Sequence, residues 1–165
     1  EALGAGWLTL HPRTAKQGFT GTARWEYLSE LKALVSLPVI ASGDLFTAEE
    51  GVRCLAETGV DTVMYARGAL RDPAIFKAHL DLLAGREPEV ADVATLLARI
   101  REHARLAREL STEKVALLKM RTIVPRYVRH IEGSKQLRAD IIACRSWDDF
   151  EKALRSFEAG KSSSE

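Results

Sequence analysis

Three short runs carry residue types that can do chemistry: His11-Pro12-Arg13-Thr14, Ser42-Gly43-Asp44 and Ala66-Arg67-Gly68-Ala69. The first supplies a titratable ring and a fixed cation. Pro12 cannot continue a β-ladder, so His11 and Arg13 would stand at the end of whatever strand precedes them. Gly43 and Gly68 let backbone N–H groups approach a ligand, and Arg67 presents a planar fork suited to a phosphate. The two cysteines, Cys54 and Cys144, lie far apart in helical patterns with no metal-ligand spacing. No metal is therefore expected, and a reducing, cytoplasmic setting is the simplest inference. Taken alone, His11–Thr14 is equally a turn with a solvated histidine; the chemical reading depends on the three runs recurring in one structural place.

That place is the C-terminal end of a strand. Trp7–Leu10, Val39–Ala41 and Thr62–Tyr65 are short apolar stretches, each ending in a polar run and followed by a helical pattern. They recur roughly every 25–30 residues, the period of βα units. Thr47-Ala48-Glu49-Glu50 announces the second helix, with Val52, Leu55 and Ala56 as its core stripe and Thr58-Gly59 as its end. Ligands of parallel α/β proteins gather at the C-terminal strand edge, toward which the following helices aim their N-termini. Three βα units cannot close an eight-stranded barrel, which takes about 250 residues. A bare three-stranded sheet would expose its edges, a route to dimers or aggregation. Residues 1–84 are therefore expected to be strands six to eight of a partial (β/α)8 TIM barrel. Ser42–Asp44 and Ala66–Arg67 then fall in the loops after strands seven and eight, where phosphate sites are frequently built.

After Asp72-Pro73 the strand patterns stop, so the fold class is α/β followed by all-α. Ala74–Leu83 reads as a helix ending near Gly85, and Arg86–Glu89 as a linker. Residues 90–159 read as a helical bundle. Its helices cover Val93–Leu110, Leu117–Val128 (which Pro125 must kink or break), Lys135–Cys144, and a last segment capped by Ser146 and running to about Phe157. Residues 160–165 read as a disordered tail.

Composition is ordinary for a globular domain, 46% apolar and 28% charged with net charge +1. No apolar run approaches the roughly 20 residues needed to span a membrane. The opening Glu1-Ala2-Leu3, without an initiator Met, reads as a cut. Charge is divided unevenly: residues 1–76 carry seven basic and nine acidic side chains, residues 111–145 eight basic and three acidic. Lys119, Arg126 and His130 fall at i, i+7 and i+11 and would share a helix face. Together with Arg121, Arg129 and Arg138 they suggest a polyanion partner, or simply a solvated face.

The runs also resemble a known family. His11-Pro12-Arg13-Thr14 with Gly18, Gly21 and Trp25 is similar to the H-x-R-T segment of the tRNA-dihydrouridine synthases. Pro38-Val39-Ile40-Ala41-Ser42-Gly43-Asp44 resembles its P-V-I-A-N-G-D segment. Thr58-Gly59-Val60-Asp61, Val63–Ala69 and Pro73–Phe76 resemble its T-G-A-D-G-V-M-I-G-R-G-A-x-x-N-P-W-I-F segment. The likeness is continuous over about residues 4–76; Lys119-Met120-Arg121 and Leu137-Arg138 resemble the family's C-terminal helical domain less specifically. It implies an FMN-dependent enzyme that reduces a tRNA uridine to dihydrouridine, with NADPH as reductant. It also implies His11 beside the flavin ring, Ser42, Gly43, Asp44, Ala66 and Arg67 at the FMN phosphate, and Arg13 facing substrate. Lys119, Arg121, Arg126, Arg129 and Arg138 would meet tRNA. Ser42 stands where the family usually has Asn, and Ala66 where it usually has Gly. The family's catalytic cysteine and flavin-contacting lysine belong to earlier strands, and neither Cys54 nor Cys144 lies in a matching motif. No catalytic residue is therefore assigned in this chain, and the chain as given is expected to be inactive alone. Another FMN- or phosphate-binding TIM-barrel oxidoreductase, or a non-catalytic RNA-binding helical module, would share some of these features.

Overall fold

A computed structural model describes residues 4–162 and divides the chain into two compact units, one ending at Pro88 and the other beginning at Glu89. The opening Glu1-Ala2-Leu3 and Ser163–Glu165 lie outside the described residues.

The first unit alternates β1 (Leu8–Leu10), α1 (Glu26–Leu34), β2 (Val39–Ser42), α2 (Ala48–Thr58), β3 (Thr62–Met64) and α3 (Ile75–Leu83). The strands are parallel in the order β1-β2-β3, with Leu8 opposite Val39 and Ile40 opposite Thr62. All three C-terminal ends therefore open at one edge. Among the described residues only β2 has neighbours on both sides, and it buries Val39, Ala41 and Ser42. The apolar first strand is only half-covered: Leu8 and Leu10 are partly buried, while Thr9 and Trp7 are exposed.

Local chemistry sets the bounds of α2. Glu50 N–H donates to Thr47 Oγ1 at 3.2 Å while Glu50 Oε2 accepts from the Thr47 amide at 3.0 Å, a complete capping box. Gly59, left-handed at φ 69°, closes the helix by donating to Leu55 O. The buried face of α2 is Ala48, Gly51, Cys54 and Thr58, rather than the Val52, Leu55 and Ala56 stripe that apolarity predicts. Gly51 explains the rotation. A Cβ there would lie 1.8 Å from Tyr65 Oη and 2.8 Å from His79 Nδ1, so the helix turns its bare backbone to these two residues. Tyr65 and His79 are themselves hydrogen-bonded at 2.8 Å. Burial, reinforced by the Glu49 charge, pushes the Tyr65 hydroxyl up to about 12, so it remains protonated. At the opposite strand edge Asp61 accepts from the Val39 amide and Lys32 Nζ, both at 2.7 Å, which ties α1 to the sheet.

The second unit contains α4 (Val93–Glu109), α5 (Glu113–Tyr127), α6 (Ser134–Ala143) and α7 (Trp147–Ser162). The helices touch in a closed ring: α4 meets α5 and α7, while α6 meets α5 and α7. Leu97, Ile100, Met120, Val124, Leu137, Ile141 and Leu154 fill the centre. Asp92 and Thr112 cap α4 and α5 by accepting from the amides of Thr95 and Val115. Two expectations change here. Helix α5 runs through Pro125 to Tyr127; the proline leaves the Arg121 carbonyl without its i+4 donor, close to an end where carbonyls lose their donors anyway. Helix α7 continues through Ser162, past the Gly160 at which a disordered tail is expected. Lys161 Nζ lies 5.9 Å from the Phe157 ring centroid, and a cation in the last turn suits the helix dipole.

Candidate functional site

Leu10 ends β1, and the chain then folds back so that the Arg24 amide donates to Pro12 O at 3.1 Å. Arg13 holds this loop from inside. Its Nη1 donates to Thr20 O at 2.7 Å, and its Nη2 to Gly21 O at 2.9 Å and to Asp44 Oδ2 at 2.6 Å. The side chain is only 3% exposed. An Arg13 facing substrate is therefore corrected: the arginine is a strut between the loops that follow β1 and β2.

Asp44 occupies the centre of the cluster. The chain leaves β2 through Gly43 at φ 123° and Asp44 at φ 52°, two successive residues at positive φ. Aspartate is among the few side chains that tolerate this region. Gly43 also has no room for a side chain, since a Cβ would lie 3.0 Å from Ala23 Cβ and 3.2 Å from His11 Nδ1. The Asp44 carboxylate gathers Arg13, the Ala23 amide at 2.6 Å and Arg67 Nη2 at 3.1 Å. Burial pushes its pKa up. The Ala23 hydrogen bond and the Arg13 and Arg67 charges outweigh that, so the carboxyl sits below its ordinary range and stays ionised.

Arg67 leaves β3 and ends beside Asp44 with its side chain 42% exposed. Its guanidinium lies 4.8 Å from the Phe19 ring centroid and 4.7 Å from that of Phe46, and Arg71 covers Phe46 at 4.5 Å. His11 is exposed at the end of β1, with Nδ1 3.5 Å from Ser42 Oγ. The structure thus gathers His11, Ser42, Gly43, Asp44, Ala66 and Arg67 around one cavity of about 150 Å³, also lined by Phe19 and Phe46. Neither the Asp44 nor the Arg67 amide donates a backbone hydrogen bond among the described residues. Two free amides and a half-exposed guanidinium suit an anion. Larger hollows occur in the helical unit, one of about 620 Å³ lined by Arg101, Arg105 and Arg108. Those arginines are already engaged by glutamates, so volume alone does not mark the site.

The five cations expected on the helical unit divide. Lys119 and Arg126 are exposed on α5, one i+7 repeat apart, and Arg129 is exposed just beyond it. His130 lies in the turn after α5 ends at Tyr127, so it continues no helix face. Arg121 is two positions from Lys119, roughly 200° around the helix, and acts electrostatically on Cys144 at the end of α6. Arg138 is half-buried on α6, with Nε enclosed and unpartnered. None of Lys119, Arg121, Arg126, Arg129 and Arg138 enters an ion pair among the described residues. On α4, by contrast, Arg101 pairs with Glu151 and Glu158, Arg105 with Glu102 and Glu109, and Arg108 with Glu113.

Sequence reasoning missed Phe19 and Phe46, the Ala23 amide and the Tyr65–His79 pair. A glycine inside the helical pattern at Gly51 was a legible sign of close approach. Nothing local marks the two phenylalanines. Among the described residues no group of His, Cys, Asp and Glu is placed to hold a metal ion, and no helix is long and apolar enough to cross a membrane.

A parallel sheet whose strand-end loops converge on an anion-suited cavity defines an α/β unit with a candidate site at its C-terminal strand edge. The chain belongs to the dihydrouridine synthase (Dus) family, whose model matches residues 1–162. It is 34% identical over 147 residues to the probable tRNA-dihydrouridine synthase 1 of Synechocystis sp., covering 88% of this chain and 41% of that protein. It is 30% identical over 154 residues to the probable tRNA-dihydrouridine synthase of Aquifex aeolicus, covering 93% of this chain and 48% of the relative. A third relative, the tRNA-dihydrouridine(16/17) synthase [NAD(P)(+)]-like protein of Rattus norvegicus, is 37% identical over 106 residues, 62% of this chain and 23% of that protein. The chain thus spans less than half the length of these curated relatives.

Proposed function

We propose that this chain is the C-terminal portion of an FMN-dependent tRNA-dihydrouridine synthase, acting in the cytoplasm. In that reading the first unit is the end of a TIM barrel and residues 90–159 are a tRNA-binding helical domain. The carrying observation is the convergence of the three strand-end loops on Asp44, which leaves Arg67 half-exposed beside one small cavity lined by residues of all three loops. That donor set fits the phosphate of FMN. Arg67 and the Asp44 and Arg67 amides would hold it, and Ser42 Oγ could add a hydrogen bond. Asp44 acts through Arg67 rather than on the anion, which its own carboxylate would repel. His11 would stand at the ring end of the cofactor. When bound, FMN would supply the hydride chemistry for reducing the uracil C5–C6 double bond, with NADPH as its reductant. The exposed, unpaired Lys119, Arg126 and Arg129 would meet the tRNA backbone, a contact insensitive to sequence and weakened by salt.

Flavin content tests the reading. In the full-length enzyme Arg67→Ala should reduce bound FMN about tenfold after dialysis, read by absorbance, with thermal stability little changed. Unchanged flavin content would overturn the phosphate assignment.

A further inference from the structure

Five of the seven arginine- or lysine-over-ring contacts among the described residues fall in the first unit. They are Arg24 on Tyr27 and Arg53 on Trp25, which involve helices α1 and α2, and Arg67 on Phe19 and on Phe46 and Arg71 on Phe46, which lie on the strand-end loops. The last three run in series, so that Phe19, Arg67, Phe46 and Arg71 alternate ring and guanidinium. The series ends in solvent on Phe19, which is 74% exposed. We propose that Phe19, with the loop Thr14–Thr22 that presents it, is a stacking platform for an unpaired nucleobase of RNA. The inference rests on the RNA-modifying reading above and adds an RNA contact in the α/β unit.

A single exposed phenylalanine is ordinary on a protein surface. Phe19 differs in how it is held. Gln17 Nε2 donates to Thr20 O at 3.0 Å and Thr22 O at 2.9 Å, and Thr20 Oγ1 donates to Gln17 O at 2.7 Å. Buried Arg13 grips the Thr20 and Gly21 carbonyls from below. The loop is therefore braced by its own hydrogen bonds, and one face of the ring is backed by a guanidinium that is itself pinned to Asp44. An apolar ring fixed in water before its partner arrives loses little entropy on binding. Its flat open face suits a nucleobase, since every base has a π-face and stacks without sequence demand. Lys16, Arg24 and Arg71 are exposed on the same loops, where they can neutralise the phosphates that carry the base.

The full chain can be titrated with a short single-stranded RNA, a duplex of the same length and a tRNA transcript over a range of salt. Phe19→Ala should weaken single-strand binding about tenfold, within the range of one lost base stack. Phe19→Leu, which keeps bulk but not a flat face, should lose as much, and Phe19→Trp should retain affinity. The slope of log affinity against log salt should stay unchanged in all three, and duplex binding should not respond. Affinity within twofold of wild type for Phe19→Ala would overturn the proposal. So would Leu performing as well as Trp, or a loss accompanied by a shallower salt slope. If Lys119→Glu with Arg126→Glu weakens tRNA binding while Phe19→Ala does not, the RNA reading stands and the platform falls. If the unaltered chain binds none of the three RNAs, both fall.

Discussion

The two units solve the problem of burial differently. In the helical unit fifteen buried residues form one cluster around Met120, and a closed ring of four helices surrounds it. The longer α/β unit assembles nine around Val39 and leaves Trp7, Leu34, Met64, Phe76, Leu80 and Leu83 exposed. Phe76, Leu80 and Leu83 share one face of α3, and among the described residues both outer strands have an unpaired edge. The units also treat charge in opposite ways. The α/β unit gathers two arginines on one part-buried carboxylate, whereas the helical unit pairs Arg101, Arg105 and Arg108 of α4 and, among the described residues, leaves Lys119, Arg126 and Arg129 outside any ion pair. Charge in the first case shapes a site; in the second it is available to a partner.

Asp44→Ala should break this comparison hardest. It leaves the Arg13 guanidinium enclosed without its counterion, and removing one partner of a buried pair costs about 3–5 kcal/mol. Urea unfolding of the first unit should show a loss of about 3 kcal/mol, reduced from the upper figure because Asp44 keeps 21% of its side chain exposed. Unfolding of the second unit should be unaltered. Next, Gly51→Ala forces a methyl against Tyr65 Oη and should cost about 2 kcal/mol through overpacking. Tyr65→Phe in the same chain should recover part of it, and a double-mutant cycle would show the coupling.

The charged helix face should respond in binding rather than stability. Replacing Lys119 and Arg126 with Glu should raise the KM for tRNA roughly tenfold in the full-length enzyme and make its salt dependence shallower, while flavin stays bound. An unaltered KM would reduce this face to solvated surface. The smallest effect is one of pH. Burial holds His103, hydrogen-bonded to Tyr127 at 2.8 Å, below its ordinary value of 6.5. A histidine depressed in the folded state contributes stability that is full above the unfolded value and is lost as pH falls through the folded one. The helical unit should therefore begin to weaken just below pH 6.5, and His103→Gln should flatten that region. Asp44, depressed from 3.8, makes the same argument only below about pH 4, so its own contribution to the α/β unit should hold through the intervening range.

Much of this architecture was legible because it is written locally. Thr47 and Glu50 stand three residues apart in the chain and cap each other in space; Pro12 ends a strand wherever it occurs. What was not legible is pairing between distant loops. Nothing in Ser42-Gly43-Asp44 says that its acid will neutralise an arginine 31 residues earlier rather than meet a ligand. Arg13 was misread for the same reason: an arginine at a strand end looks free until the loop that covers it is known. The α2 face went wrong because apolarity was weighed above shape, and a glycine that admits a tyrosine is invisible to a hydropathy count.

The backbone at position 44 has a consequence for sequence variation. Its left-handed conformation admits few residue types, while its carboxylate is needed by two arginines. A library randomised at this codon should therefore return different survivors under different screens. Selection for a folded chain alone should keep aspartate and, at reduced stability, some asparagine and glycine, whereas selection for cofactor retention should keep aspartate only. The two lists would separate what the turn demands from what the site demands, at a single residue.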